Sequence, residues 1–354
     1  MPNSKIVYTS ILLIFILFFL SCKRKKEIEP VPQPPKTKEG LLIGNEGNFN
    51  WGNASLSFYD TKNKKIYNEV YKSANNHPLG DVLQSITVDS NVAYLVINNS
   101  GKIEKIDLKT FKTVKTYTGF NSPRYINVVG NKGYVSDLYE NCVYVINLKS
   151  EGNNSIIKKI NIPSWTEEMT VYENYLYVAG VTTNKVYIIN TVLNDLVDSI
   201  NVADAPMSLD LDKNNLLWVY AGDYQSSEYT LQQIDITTKE IVFSHPFVAQ
   251  SGTMSYATKM CMSPQKDYIY LIYNGIQQID VSSKSIETLI DQNNFVTPYG
   301  IGTDIEGNIY VADAKDYVSR GEVSIFHPNG RMIKKITVGI IPGSFAYIKI
   351  INKD

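Results

Sequence analysis

A short strand motif recurs along this chain: an aromatic or aliphatic strand, a polar turn, and a further strand that commonly ends in Ile-Asp or Ile-Asn. Successive copies lie about 40 to 47 residues apart, and seven can be found. The copies are SFYD at 57–60, EKIDL at 104–108, YVINL at 144–148, YIINT at 187–191, QQIDI at 232–236, QQIDV at 277–281 and SIFHP at 324–328. Strand repeats at this spacing predict a β-propeller, in which each repeat forms one blade.

Alternating β-branched and aromatic residues predict four strands in each repeat, the innermost first. Complete units are predicted at about 82–118, 122–162, 166–203, 205–247, 255–290 and 297–338. The C-terminal GSFAYIKI at 343–350 then supplies the inner strand of a seventh blade, and the N-terminal LLIGNEG, ASLSFYD and KKIYNEVY supply its other three. This exchange closes the ring and removes free sheet edges. We therefore predict an all-β, seven-bladed β-propeller of four-stranded antiparallel blades, in a single domain at 41–352.

The N-terminus is typical of an exported protein. Lys5 precedes an apolar run from Ile11 to Leu20 that is too short to span a bilayer, which predicts a signal peptide at 1–22. The segment FFLSC is similar to the lipobox of bacterial lipoproteins, which implies that Cys22 is lipidated; cleavage elsewhere and a signal anchor are the alternatives. Residues 23–40 are rich in proline and charge and predict a flexible tether.

These features predict an outer-membrane location with a lipid anchor. Acidic residues usually follow the cysteine of lipoproteins displayed on the cell surface in Bacteroidota, whereas this chain has the basic segment Lys23 to Lys26. Both the cell surface and the periplasmic side therefore remain open.

Composition excludes some functions. The formal net charge is −1 and the repeats carry no basic stripe, so we expect no nucleic-acid partner. Only three histidines occur, His77, His245 and His327, and no zinc, thiol-redox, serine-hydrolase or phosphate-loop motif is present. We predict a protein that is not an enzyme and has no cofactor or metal. Cys142 and Cys261 are predicted to be buried free thiols, with a disulfide as the alternative.

One face of the predicted ring carries the longer loops. In a four-stranded blade, the turn between the second and third strands lies on the same side as the link to the next blade. These loops are long and aromatic, whereas the turns of the opposite face are short and polar. Aromatic side chains flanked by Asn, Gln and Arg suit a large ligand with flat faces and polar edges. The predicted ligand-binding residues are Phe49, Asn50, Trp51, Asn98, Asn99, Arg124, Tyr139, Trp165, Tyr224, Tyr256, Tyr299, Asp316, Tyr317 and Arg320.

Two alternatives apply to this face. Several of its aromatic residues could instead pack between blades, because the chain contains 25 tyrosines. Its acidic residues could also bind calcium or act as they do in lactone-hydrolysing propellers. These acidic residues are Glu46, Asp81, Glu167, Glu168, Asp223 and Asp316.

The chain also resembles a known group of proteins. The stretches that carry the resemblance are WGNASLSFYD at 51–60, LGDVLQSITV at 79–88, VINNSGKIEKID at 96–107, SPRYI at 122–126, TEEM at 166–169, IYVADAKDYVSRGEV at 309–323 and VGIIPGSF at 338–345. They are similar to the YncE-like propeller lipoproteins of Bacteroidota, and most of all to the BtuG-type surface lipoproteins that capture cobalamin.

This resemblance implies capture of a corrinoid such as vitamin B12 and its transfer to a TonB-dependent outer-membrane transporter. A corrinoid is a broad disc with amide-tipped edges, which aromatic walls and polar donors would suit. Coordination of cobalt is not required, although His77 could provide it. A protein- or glycan-recognition propeller is the alternative function, and a metal-dependent lactone-type hydrolase is a further one.

Overall fold

The computed structural model describes residues 38–150, 155–222, 228–248 and 258–350. The predicted signal peptide, Cys22 and all but the last three residues of the predicted tether lie outside this part of the chain. No helix among the described residues is long and apolar enough to cross a membrane.

Twenty-eight strands follow one another along the described chain. The first three are β1 (Lys38–Asn45), β2 (Ser55–Asp60) and β3 (Lys65–Tyr67), followed by a short helix, α1 (Val70–Asn75). Blade 1 comprises β4 (Leu83–Asp89), β5 (Val92–Ile97), β6 (Lys102–Asp107) and β7 (Thr113–Thr118). Blade 2 comprises β8 (Pro123–Val129), β9 (Lys132–Asp137), β10 (Cys142–Asn147) and β11 (Ile156–Asn161). Blade 3 comprises β12 (Thr166–Tyr172), β13 (Tyr175–Gly180), β14 (Lys185–Asn190) and β15 (Asp195–Asn201).

The second half repeats the same pattern. Blade 4 comprises β16 (Pro206–Leu211), β17 (Leu217–Ala221), β18 (Glu228–Ile234) and β19 (Ile241–Val248). Blade 5 comprises β20 (Met260–Met262), β21 (Tyr268–Ile272), β22 (Gly275–Asp280) and β23 (Ile286–Asp291), and a 3-10 turn (Gln292–Asn294) follows it. Blade 6 comprises β24 (Pro298–Thr303), β25 (Ile309–Asp313), β26 (Arg320–Phe326) and β27 (Met332–Ile340). The last strand is β28 (Pro342–Ile350).

The ring is closed by strands from the two ends of the described chain. β28 pairs antiparallel with β1, with Leu42 opposite Ala346, and the sheet order β28, β1, β2, β3 makes blade 7. Each of the seven sheets has four strands. In blades 1 to 6 the innermost strand comes first in the sequence, and in blade 7 the innermost strand is β28, the last of the described strands. The predicted seven-bladed fold and its mixed closing blade are confirmed.

Burial explains why the inner and outer strands differ in their pattern of apolar and polar residues. The second strand of each blade is almost wholly buried, as in β5, because it packs on neighbouring blades at both faces. The fourth strand alternates between buried or half-buried and exposed side chains, as in β7, because one face meets solvent. Apolar clusters fill the spaces between adjacent blades.

Tyrosines are a large part of this core. Eight of them are almost completely buried: Tyr71, Tyr94, Tyr117, Tyr134, Tyr144, Tyr220, Tyr270 and Tyr310. Their hydroxyl groups reach backbone or side-chain oxygens in several cases; Tyr117 donates to the carbonyl of Leu148 at 3.1 Å and Tyr134 donates to that of Thr191 at 2.8 Å. The abundance of tyrosine in this chain is therefore largely a matter of packing between blades.

The loops are divided between two faces as predicted. On one face, which we call the mouth face, turns between second and third strands bond to the links between blades. Leu138 N–H donates to the Ser122 carbonyl at 2.9 Å, and Ala314 N–H donates to the Thr297 carbonyl at 2.9 Å. The opposite face, called the turn face, carries the other turns and the first residue of β1.

Helix α1 was not predicted. It lies in the link from blade 7 to blade 1, and its residues Val70 and Tyr71 are buried in the cluster between these blades. Its 6 residues are too few for a helical pattern to stand out in the sequence. Both cysteines of the described residues are free thiols; Cys142 is buried as predicted, whereas Cys261 is only half-buried.

Candidate functional site

The inner strands share an irregularity where they approach the mouth face. In six of the seven sheets the pairing register slips by one residue at this end, so that extra residues bulge from the strand. Bulges redirect side chains and are common beside functional sites. The bulged positions are Gln84, Arg124 with Tyr125, Glu167 with Glu168, Met207, Tyr299 and Gly343. We call the ring formed by these residues, together with the adjoining Glu46 and Lys259, the channel mouth.

A charged network joins three blades at the channel mouth. Arg124 donates from Nε to Glu167 Oε2 at 2.6 Å and from Nη2 to Glu167 Oε1, a paired contact from blade 2 to blade 3. Its Nη1 donates to Gln84 Oε1 of blade 1. Because Glu167 is buried and Arg124 largely so, this pair is held away from solvent.

Glu46 lies beside Gly343, the bulged residue of blade 7, although it comes from the loop between β1 and β2. A Cβ atom on Gly343 would lie 3.0 Å from Glu46 Oε1 and 3.1 Å from Tyr299 Cε1, so glycine leaves room for the carboxylate. Tyr299 donates to Glu46 Oε2 at 3.2 Å. Burial raises the pKa of Glu46 to about 7, against the attraction of Arg124 and Lys259.

Lys259 is the second cation of the channel mouth. It precedes β20 and donates to the Tyr125 hydroxyl. Glu168 lies on the same side of the ring, accepts hydrogen bonds from Ser208 and from Leu209 N–H, and has a pKa that burial raises. Below these residues the channel forms a cavity of about 230 Å³ lined by Gln84, Ser85, Tyr125, Glu168, Lys259 and Ser344, among others.

Four aromatic residues of the predicted site are open to solvent on the mouth face. Phe49 and Trp51 are 64% and 77% exposed, and Tyr139 and Trp165 are 57% and 40% exposed. Tyr139 and Trp165 form an edge-to-face pair across blades 2 and 3, with ring centroids 5.3 Å apart. Large exposed aromatic side chains grouped on one face are unusual for a surface without a binding role.

Two further tyrosines line the side of the mouth that belongs to blade 6. Tyr299 and Tyr317 pack edge to face with centroids 5.9 Å apart, and both are half-buried. The carbonyl of Tyr317 accepts from Asn48 Nδ2 at 2.7 Å, which ties the Phe49–Trp51 loop to blade 6.

A polar cluster holds the same loop from its other side. Asp81 Oδ2 accepts from Asn50 N–H at 2.8 Å and from Asn99 Nδ2 at 2.6 Å, and Asn99 also donates to Asn50 Oδ1 at 2.9 Å. Of the predicted amide residues, Asn50 and Asn99 are therefore exposed and close together. Asn98 is buried instead, and its amide donates to Ser122 Oγ and the Pro123 carbonyl, between blades 1 and 2.

The remaining predicted residues lie in three settings. Arg320 is exposed and donates from Nε to the Val338 carbonyl at 2.8 Å. Asp316 is exposed and accepts from the N–H groups of Val318 and Ser319, which lowers its pKa to about 2. Tyr224, Tyr256 and the acidic Asp223 lie outside the described residues.

Two β-branched residues at the same face have a strained backbone. Val82 and Ile341 have φ angles of 63° and 52°, a left-handed conformation that is rare for β-branched residues. Each directly precedes an inner strand. The Ile341 carbonyl accepts from Glu46 N–H at 2.8 Å, so this strained residue helps to position the loop that carries Glu46.

No group of three or more His, Cys, Asp or Glu residues that could hold a metal occurs within the described ranges. His77 lies in the link before blade 1, where its Nδ1 is 2.9 Å from the Pro78 carbonyl and its ring packs on Tyr71.

Gln84 and Lys259 were not among the residues predicted from the sequence, because their position at the channel mouth depends on strand register.

A larger cavity, of about 550 Å³, lies on the turn face between blades 6 and 7. Two of its tyrosine hydroxyls are already engaged, since Tyr310 donates to Asp304 at 2.8 Å and Tyr347 donates to Glu39 at 3.0 Å. The channel mouth is the better candidate site because charged groups from several blades converge there.

The family described as Domain of unknown function (DUF5074) matches residues 39–339, nearly the whole propeller. The chain belongs to this family. No curated protein matches this DUF5074 chain.

Solved structures match this DUF5074 propeller at low sequence identity. A quinonprotein alcohol dehydrogenase-like protein from Bacteroides thetaiotaomicron has a TM-score of 0.68 at 14% identity, over 88% of this chain and 78% of that chain. A Bacteroides fragilis protein provisionally named a 6-phosphogluconolactonase has a TM-score of 0.65 at 13% identity, over 90% of this chain and 100% of that chain. Hydrazine synthase of Kuenenia stuttgartiensis has a TM-score of 0.63 at 16% identity, over 75% of this chain and 95% of that chain.

At these identities the similarity establishes the propeller fold alone. The narrower resemblance to cobalamin-capturing lipoproteins stays a prediction.

Proposed function

We propose that this protein is a non-enzymatic lipoprotein of the outer membrane that captures a corrinoid on its mouth face and passes it to a TonB-dependent transporter. The observation that carries the proposal is the grouping of Phe49, Trp51, Tyr139 and Trp165 as exposed aromatic side chains on the face where the channel opens. A broad disc with amide-tipped edges can stack on such rings while its amides bond to polar rim groups.

The polar groups needed for the edges of a corrinoid are present on the same rim. Asn50 and Asn99 are exposed, and each has an amide group in the cluster around Asp81. The cluster is held by hydrogen bonds before any ligand binds, which lowers the entropy cost of binding.

The direction of the chain suits a tethered receptor. β1 begins on the turn face and runs toward the mouth face, since the β1–β2 loop that carries Trp51 lies at its other end. A tether that begins at a lipidated Cys22 would therefore join the propeller on the face opposite the mouth. In this arrangement the binding face points away from the attachment point and is open to ligand and to a partner.

Cyanocobalamin provides a direct test. The purified protein is mixed with cyanocobalamin and separated by size, and absorbance of the corrin is measured in the protein fraction. Co-elution that is lost in a Trp51→Ala variant and retained in a Val242→Ala variant supports the proposal. Val242 is a matched control because it is exposed on outer strand β19, away from the mouth face. Absence of corrin absorbance with the unaltered protein would refute corrinoid capture.

The transporter partner requires a separate experiment. Outer membranes are solubilised after expression of the tagged lipoprotein, and the co-purified proteins are identified. Recovery of a TonB-dependent transporter with the unaltered protein supports transfer, and recovery of the lipoprotein without such a transporter contradicts it. A Cys22→Ala variant, recovered from the soluble fraction, tests the lipid anchor and the location at once.

Glycan or protein recognition is the second candidate. The exposed edge-to-face pair of Tyr139 and Trp165 favours it, because a sugar ring or a peptide could pack against these rings. A glycan array with the unaltered protein and the Trp165→Ala variant separates this function from the first. Hydrolysis of a lactone, followed with and without a chelator, tests the enzymatic alternative directly.

A further inference from the structure

We propose that the cavity below the channel mouth is a binding site for a primary carboxamide group, held by Lys259, Glu168 and Asn127. This inference does not depend on corrinoid capture. It follows from hydrogen-bonding groups that line the cavity and have no partner within the described part of the chain.

The cavity is of a size for a small polar group. Its volume is about 230 Å³, and it adjoins the channel mouth because Gln84, Glu168 and Lys259 belong to both. One water molecule takes about 30 Å³ in the liquid, so the cavity is too large for a single water. Pockets for drug-sized ligands span about 300 to 1,000 Å³, so this one suits a small molecule or one arm of a larger ligand.

Lys259 is the principal donor of the cavity. Its one hydrogen bond to a described residue goes to the Tyr125 hydroxyl, which leaves further N–H groups of the ammonium free. Burial disfavours its charge, but the attraction of Tyr125 and Glu168 is greater and raises the pKa of Lys259 above its usual value. The side chain therefore remains a charged donor at neutral pH.

Glu168 and Asn127 supply the acceptors. Oε2 of Glu168 accepts from the Ser208 hydroxyl and from Leu209 N–H, whereas Oε1 has no hydrogen bond to a described residue. Asn127, on inner strand β8, lines the same cavity, and its side-chain amide is likewise without a hydrogen bond to any residue in the described ranges. Polar groups set apart from bulk water lose free energy when they stay unpaired, so these groups favour a polar ligand.

The hydroxyl groups deeper in the lining are already committed. Ser85 Oγ donates to the Arg124 carbonyl at 2.6 Å, and Thr87 Oγ1 donates to the Ile126 carbonyl at 2.8 Å. These bonds hold the walls together and leave Lys259, Glu168 and Asn127 as the groups available to a ligand.

The charges around the cavity favour a neutral ligand group. Lys259 and Glu168 lie close enough for each to influence the ionisation of the other. A carboxylate bound at Lys259 would therefore meet the repulsion of Glu168, and an ammonium group bound at Glu168 would meet that of Lys259. A neutral dipolar group avoids both repulsions and can form a hydrogen bond with each side chain.

A primary carboxamide matches this arrangement. Its acceptor oxygen and its donor NH₂ group are separate atoms of one rigid plane. The oxygen can accept from Lys259 while the NH₂ group donates to Glu168 Oε1, and the Asn127 amide can bond to either end. A hydroxyl group has both functions on one atom, and a ketone or a carboxylate has no donor.

Propionamide and three molecules of similar shape are suitable probes. Propionate replaces the NH₂ group by a charged oxygen, butanone replaces it by a methyl group, and 2-butanol presents a hydroxyl. Binding of each to the intact protein is measured by ligand-observed NMR titration. We expect saturable binding of propionamide with a Kd of about 1 to 10 mM, and binding of the other three at least about 5-fold weaker.

Three variants locate the binding. Lys259→Met should weaken propionamide binding about 10-fold or more, and Asn127→Leu, which removes an amide that holds no other residue, about 5-fold. Lys185→Met is the matched control, because Lys185 lies at the mouth-face end of β14 and does not line the cavity, so binding should be unaltered. Thermal unfolding establishes that each variant folds, and Asn127→Leu keeps the test decisive if Lys259→Met does not.

Several results would overturn the proposal. No saturable binding of propionamide up to about 50 mM would mean that the cavity holds water only. Equally tight binding of butanone, propionate or 2-butanol would remove the assignment to a carboxamide. Unaltered binding in Asn127→Leu and in folded Lys259→Met would place the bound amide elsewhere on the protein.

Discussion

Arg124 and Glu167 form a two-pronged ion pair across the boundary between blades 2 and 3, with Nε of Arg124 2.6 Å from Oε2 of Glu167. Both residues lie in the bulges at the ends of their inner strands. The contact therefore links two neighbouring blades at the point where their strands leave regular pairing. It also places a positive and a negative charge beside the channel.

Removal of one partner should be costly. Arg124→Met would leave the buried carboxylate of Glu167 unpaired, and the free energy of unfolding should fall by about 3 to 5 kcal/mol. Urea unfolding measures this change. The double variant Arg124→Met with Glu167→Met should recover most of the loss, because no uncompensated charge remains.

The more exposed pair of Lys158 and Asp195 provides the comparison. Lys158→Met should cost less than about 1 kcal/mol, since solvent screens this contact between blades 2 and 3. A loss in Lys158→Met equal to that in Arg124→Met would show that burial is not what distinguishes the two pairs.

Stability should depend on the ionisation of Glu46. Because its pKa rises from 4.5 to about 7 on folding, the native state binds a proton more tightly than the unfolded chain does. Ionised Glu46 therefore costs stability, and this cost grows from pH 4.5 to pH 7 and then stays constant.

Glu46→Gln should consequently stabilise the protein at pH 8 by about 1 to 3 kcal/mol and change little at pH 4.5. Denaturant unfolding of both proteins across this range measures the difference. A constant difference between the two proteins at every pH would contradict the assignment of the titration to Glu46.

Trp51 should matter for binding and not for folding. Its ring is 77% exposed, so Trp51→Ala should change the free energy of unfolding by no more than about 0.5 kcal/mol. If cyanocobalamin stacks on this ring, its affinity should fall about 10-fold or more. Corrin absorbance titrations measure the affinity, and thermal unfolding measures the stability. Trp51→Phe, which keeps an aromatic face, should retain most of the binding.

Gly343 should resist even the smallest side chain. A Cβ atom at this position would meet Glu46 Oε1 at 3.0 Å and the Tyr299 ring at 3.1 Å, so Gly343→Ala should cost about 1 to 3 kcal/mol in stability.

The neighbouring Ser344 is a suitable control for this substitution. Its Oγ is buried and has no hydrogen-bond partner among the described residues, so Ser344→Ala should be neutral or slightly stabilising. Equal losses in the two variants would indicate that the backbone here is sensitive to any substitution.

Sequence reasoning succeeded where the signal is local. The strand repeats, their four-strand content and the mixed origin of blade 7 were all predictable, because alternation and turn residues recur within each 40 to 47 residue unit. The same reasoning assigned Trp51, Tyr139, Trp165 and Tyr317 to one face, since loop order in an antiparallel blade determines the face. It did not distinguish Asn98, which is buried, from its exposed neighbour Asn99.

The channel mouth depends on information that no local pattern contains. Glu46 and Tyr299 are 253 residues apart in the chain, and their contact requires a closed ring and the space left by Gly343. Gln84 and Lys259 reach the same region only because inner strands converge there and six of them bulge at that end.

The sequence by itself thus determined the number of blades, their strand order and the face on which the long loops lie, because these follow from the period of the repeat. Only the tertiary structure decided which charged groups meet at the channel mouth and which of them has no direct ionic partner. The physical reason is that a strand's register and bulges, and hence the direction of each side chain, are set by pairing with strands of the assembled ring.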